Sequence, residues 1–127
     1  MWAGVEPKKD WYNQTYLDEM VKIVNAAGQA GIYTLIDYHQ DILSEKFCGD
    51  GVPIWLMDEL NSYKSFPFPM GKKIHLNASG LPDWSDCDIQ HWPNYYFSYD
   101  VGQGFADLYN PKHKLNRKFN DYWKKVA

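Results

Sequence analysis

The chain has 127 residues, including six Trp, ten Tyr and six Phe. Apolar residues make up 45% and charged residues 23%, with a net charge of −3. This composition excludes intrinsic disorder and offers no basic footprint for nucleic acid or an anionic membrane. No apolar run approaches the roughly 20 residues of a membrane span, and the length allows one domain at most.

Met1–Pro7 has neither the charged start nor the apolar stretch of a signal peptide. Residues 14–30 read as an amphipathic helix: Leu17, Met20, Val21, Val24 and Ala27 recur at helical period. Thr15 with Asp18 makes a loose capping box, and Gly28 or Gly31 is a natural stop. Residues 32–37 (Ile-Tyr-Thr-Leu-Ile-Asp) are β-rich and almost continuously apolar, the pattern of a buried parallel strand. A glycine-containing loop over 42–52 follows. A short helix is expected from Pro53 to Leu60. Residues 62–99 hold four of the seven prolines and show no period. A stretch this long without regular structure is usually functional. A short helix is expected over 101–109, ended at Asn110-Pro111. Over 114–126, Leu115, Phe119, Tyr122, Trp123 and Val126 share a helical face, flanked by Lys114, Arg117, Lys118, Lys124 and Lys125, which read as a solvated face.

These elements do not close into a domain. A buried parallel strand needs neighbours on both sides, and only Met1–Val5 hints at another. The expectation is therefore an internal piece of a larger α/β protein, with Met1 an interior methionine. Cys48 and Cys87 are the only cysteines. Together with the acceptor sequons at Asn13 and Asn77, the even cysteine count favours the secretory pathway and a 48–87 disulfide over two core thiols. Such a bond would contribute about 4 kcal/mol on the chain-entropy relation.

Asp37, His39 and Asp41 fall on one side of the backbone where the strand ends, the place where α/β folds bind ligands. Three readings stay open: a structural hydrogen-bond cluster, a hydroxyl-rich ligand site, and an Asp-His-Asp metal site. His75, His91 and His113 read as surface residues. Trp92, followed by Tyr95 and Tyr96, is either a packing residue or a flat platform for a sugar ring. Paired carboxylates mark a glycosidase. None of the four glutamates, Glu6, Glu19, Glu45 and Glu59, has a convincing partner in sequence. There is no nucleophile elbow, phosphate loop, dinucleotide fingerprint or HExxH motif.

Taken together, several runs resemble the endoglycoceramidases. These are Met1-Trp2-Ala3-Gly4-Val5-Glu6-Pro7, Tyr12-Asn13-Gln14-Thr15-Tyr16-Leu17, Gly31-Ile32-Tyr33 and, above all, Asp37-Tyr38-His39-Gln40-Asp41 followed by Leu43 to Pro53 and Trp55. Endoglycoceramidases are retaining glycoside hydrolases of family 5, and the paired cysteines resemble the animal branch. The resemblance implies a (β/α)8 barrel, of which residues 1–127 would be part of the catalytic domain. Met1–Glu6 would end the second strand, 14–30 would be the second helix and Ile32–Asp37 the third strand. Residues 42–99 would be a long loop over the active-site face, and 114–126 the third helix. It also implies cleavage between oligosaccharide and ceramide in glycosphingolipids, with His39 and Asp41 holding sugar hydroxyls and Trp92 lining the same site. The catalytic glutamates of the family, in an Asn-Glu-Pro motif after the fourth strand and after the seventh, have no counterpart in these residues. The chain alone is therefore expected to be inactive. No metal or organic cofactor is implied. Trp55, Leu56, Met57, Phe66 and Phe68 are either loop core or a peripheral contact with lipid. The alternatives are a family 5 glycosidase acting on another aglycone, a non-catalytic carbohydrate-binding fragment, or a metal hydrolase.

Overall fold

A computed structural model describes residues 2–89 and 91–127. In chain order its α-helices are α1 (Trp2–Val5), α2 (Gln14–Gln29), α3 (Ile54–Leu60), α4 (Trp84–Cys87), α5 (Tyr99–Leu108) and α6 (Lys114–Val126). Two 3₁₀ segments, Glu45–Phe47 and Trp92–Phe97, complete the regular structure of the described residues. None of these helices is long and apolar enough to cross a membrane.

The helix expected over 14–30 forms, but its cap is Asn13, whose Oδ1 accepts the Tyr16 amide at 3.1 Å. The capping box on Thr15 is not used; Asp18 instead accepts from the Gln14 side chain at 2.8 Å. Asparagine is among the best N-caps, and from position 13 it starts the helix at Gln14, where it was expected. Gly31, at φ +75°, supplies the left-handed turn that ends it. The apolar face of α2 is half covered: Tyr16 and Leu17 pack against the core, while Met20, Val21 and Ile23 stand exposed.

The strands expected at Met1–Val5 and Ile32–Asp37 do not form. Met1 lies outside the described residues, and Trp2–Val5 is a helical turn with Trp2 and Val5 buried. Residues 32–37 make no β-pairing with the described residues: Tyr33 is fully exposed and Leu35 is 93% exposed. A strand is a non-local object that needs a backbone on either side, and the described residues supply none. Extended pairing among them is limited to isolated bridges at Lys8–Trp11, Asp41–Asp50 and Leu76–Pro82.

The core sits between α6, α5 and the loops that precede α3. Trp2 packs against Phe119 and Tyr122 of α6 at centroid distances of 5.9 and 5.6 Å, and Tyr38 meets Phe119 edge-on at 4.9 Å. A second aromatic group links Phe47 to Phe66 and Phe66 to Tyr95, each at 5.3 Å. Buried Asp100, in the first turn of α5, fixes the proline-rich segment by accepting from the Ser65 and Phe66 amides at 2.6 and 2.7 Å. The charged residues of α6 do more than face solvent. Lys118 pairs with Asp10 at 2.9 Å and Lys114 pairs with Glu59, tying α6 to the first loop and to α3.

Of the five loop residues considered for lipid contact, Leu56 and Met57 are buried, and Trp55 and Phe66 pack against the core. Trp55 also donates its indole N–H to the Glu6 carbonyl at 2.9 Å. Phe68 is the one of the five that stands exposed.

Candidate functional site: a cleft beside Asp41

The loop after residue 41 folds back so that Asp50 meets Asp41. The Asp41 amide donates to Asp50 Oδ1 at 3.0 Å, and the Asp50 amide donates to the Asp41 carbonyl at 2.6 Å. The close approach requires glycine at position 49, where a Cβ would lie 1.8 Å from the Asp41 carbonyl oxygen. Ile42 and Leu43 follow at φ +52° and +70°, a left-handed conformation that a β-branched residue adopts only under constraint. The constraint is burial, since Ile42 and Leu43 are both fully packed in the core. The Gln40 side chain adds a hydrogen bond from the Leu43 amide at 2.9 Å. Asp41 is thus the last residue before a rigid, buried corner.

Asp41 opens into a cleft of about 670 Å³, lined by Asp41, Glu45, Asp50, Trp84, Asp88 and Trp92 among others. That volume lies in the usual range of about 300–1,000 Å³ for ligand sites. One wall comes from the 41–54 loop and the other from α4 and the start of the second 3₁₀ segment. The Cys48–Cys87 disulfide joins the two walls, with Cα atoms 5.5 Å apart. Trp92 is 50% exposed, with its ring 6.0 Å from Tyr96.

His39 stands between two carboxylates, with Nδ1 3.4 Å from Asp37 and Nε2 3.5 Å from Asp41. The three residues expected on one side of the backbone do converge. His39 is 63% exposed at its side chain and is outside the cleft lining, which it reaches through Asp41. No group of three or more His, Cys, Asp or Glu among the described residues is placed to share one metal ion. His75 is exposed and held by Asp86 at 2.8 Å, whereas His113 caps α6 by accepting the Leu115 amide at 3.2 Å.

Among the glutamates, Glu6 is fully buried. It accepts from the Trp2 indole at 3.1 Å and the Asp10 amide at 3.0 Å, a structural role. Glu45 lies exposed at the cleft. Sequence reasoning missed Trp84 and Asp88 as cleft residues. They lie 43 and 47 positions beyond Asp41 in a segment without periodicity, and only the cysteine pair hinted that the two regions meet. Of the two sequon asparagines, Asn77 is exposed in a turn, its Oδ1 accepting from the Ser79 amide at 2.8 Å. Asn13 is half-buried as the α2 cap.

No family model matches the chain. Two curated proteins named endoglycoceramidase align with all of it. The one from Hydra vulgaris is 40% identical over 128 residues, and the one from Cyanea nozakii is 41% identical over 128 residues. The chain spans about a quarter of the length of these relatives, 25% in each case. Among solved structures, endo-glycoceramidase II from Rhodococcus sp. in complex with a five-membered iminocyclitol superposes with a TM-score of 0.63 at 26% identity. That match covers 98% of this chain and 25% of that one. Along its whole length, the chain is therefore homologous to about one quarter of an endoglycoceramidase.

Proposed function

We propose that this chain supplies part of the sugar-binding site of a retaining family 5 glycoside hydrolase that cleaves the bond between oligosaccharide and ceramide in glycosphingolipids. The observation that carries the reading is the cleft in which Asp41 and Trp92, 51 positions apart in sequence, share one lining. An indole face offers an apolar platform for a sugar ring, and a carboxylate accepts hydrogen bonds from its hydroxyls. His39, with Nε2 3.5 Å from Asp41, backs that carboxylate from outside the cleft. Their role is positioning. The protonation of the leaving oxygen and the glycosyl-enzyme intermediate require two glutamates elsewhere in the whole protein.

The exposed run at 32–37 fits this reading. It is the surface of a central parallel strand of a (β/α)8 barrel, whose flanking strands the rest of the protein would contribute. A secreted or lysosomal location is supported by the disulfide, which persists in oxidising compartments, and by the exposed sequon at Asn77. A family 5 enzyme acting on another aglycone is the second reading, supported by the packing of four of the five candidate lipid-facing residues into or against the core.

The test is turnover by the full-length protein, with ceramide and intact oligosaccharide measured as products. Ceramide release is expected, and Asp41→Ala should lower kcat/KM by roughly 10²-fold or more, the scale of a lost positioning contact. Cleavage of alkyl glucosides alone would favour the second reading. Unchanged kinetics of His39→Ala and Asp41→Ala would remove both residues from the site.

A further inference from the structure

The cleft has two exposed tryptophans, and the reading above uses only one. Trp84 is 66% exposed, at the first position of α4, and lines the same cleft as Trp92 together with Asp88. A large aromatic side chain left in solvent beside a carboxylate repeats the platform-and-acceptor pairing of Trp92 with Asp41. A cleft with two such pairs on its rim has more recognition surface than a single sugar ring can cover.

The support of this second pair is unusual. Residues 71–89 form an excursion that is largely exposed. It is closed on itself by the Asp83 amide donating to the His75 carbonyl at 3.0 Å and the Lys72 ammonium donating to the Ile89 carbonyl at 2.9 Å. At α4 it is tied to the body of the protein by the disulfide to Cys48 and by the Tyr95 hydroxyl, which donates to the Cys87 carbonyl at 3.1 Å; elsewhere Ile74 packs against the core. A covalent bond thus anchors the short helix that carries Trp84, directly across from the loop that carries Asp41 and Glu45.

We infer that Trp84 and Asp88 form a second sugar-binding position of the cleft, which reads a sugar beyond the one held at Asp41 and Trp92, and that the Cys48–Cys87 disulfide keeps this wall in place. The inference rests on the glycosidase reading and adds a basis for discriminating between oligosaccharides. Trp84 is a specificity-determining residue here. It contributes binding to long head groups and nothing to the reacting atoms.

The experiment uses the full-length protein on two ceramide glycosides, one bearing a single sugar and one bearing five. Trp84→Ala is expected to lower kcat/KM on the longer substrate by roughly tenfold, the scale of one aromatic contact, chiefly through KM, and to leave the shorter substrate unchanged. Trp84→Tyr should restore most of the loss. The paired change Cys48→Ser and Cys87→Ser should reproduce the same selective loss. Equal losses on both substrates, or none on the longer, would overturn the inference while leaving the glycosidase reading intact. A wild-type protein that turns over neither substrate refutes that reading, and the second position with it.

Discussion

Breaking the Cys48–Cys87 bond is the sharpest single perturbation available. The two cysteines are separated by 39 residues. Releasing a loop of that length restores roughly 13 cal/mol/K to the unfolded chain, or about 4 kcal/mol at 25 °C. This is a large share of a typical domain stability of about 5–15 kcal/mol. With a urea m-value of about 2 kcal/mol/M, the unfolding midpoint should fall by about 2 M. Equilibrium urea unfolding, followed by tryptophan fluorescence and far-UV circular dichroism with and without reductant, measures it. Because the loss arises in the unfolded state, amide protection in α5 and α6 should shrink by the same global amount while their spectra stay native-like. A midpoint shift below about 0.5 M would refute the reasoning. It would mean that the unfolded chain already holds residues 48 and 87 together without the bond.

Three further outcomes follow from the packing. Tyr38 carries a buried hydroxyl with no hydrogen-bond partner among the described residues, and burial pushes its pKa up. Tyr38→Phe removes the unsatisfied group and should raise stability by about 1 kcal/mol in thermal unfolding; a loss of that size would show that the hydroxyl is satisfied. Gly104 in α5 lies against Leu43, and a Cβ there would fall 2.2 Å from Leu43 Cδ2. Gly104→Ala should therefore destabilise by about 1–2 kcal/mol, overpacking outweighing the gain in helix propensity, and a stabilised variant would contradict this packing. Asp86 is held below the usual carboxylate range, first by the His75 backbone N–H and then by the His75 side chain. A depressed carboxylate contributes stability above its unfolded pKa of roughly 3.9 and loses it as pH falls through its lower native value. The His75 amide should therefore stay protected from exchange as pH falls to that unfolded value and lose its protection only below it. Protection already lost above about pH 4 would place its partner elsewhere.

Local pattern carries far in this chain. The face formed by Leu115, Phe119 and Tyr122 predicts α6 over 114–126, and the structure forms Lys114–Val126. Pro53 likewise marks the start of α3. Helices close their hydrogen bonds within a few residues, so periodicity and caps suffice to place them. The candidate site was legible at Asp41, whose neighbours Gly49 and Asp50 belong to the same short run. Half of the cleft was not. Trp84 and Asp88 lie in a segment with no period, and only the fold of the 71–89 excursion, fastened at Cys87, brings them opposite Asp41. Glu6 shows the same limit from the other side, since a glutamate near a presumed strand end turns out to be buried and bonded to Trp2 and Asp10.

By itself the sequence determined α2, α3, α5 and α6, the loop after Asp41 and the apolar run at 32–37, because each is written in contiguous residues. Tertiary structure alone decided which walls meet to make a cleft, which loop aromatics are core, and that the apolar run lacks a partner among the described residues. Those outcomes depend on contacts between residues tens of positions apart, where loop closure and competing burial, not local preference, set the energy.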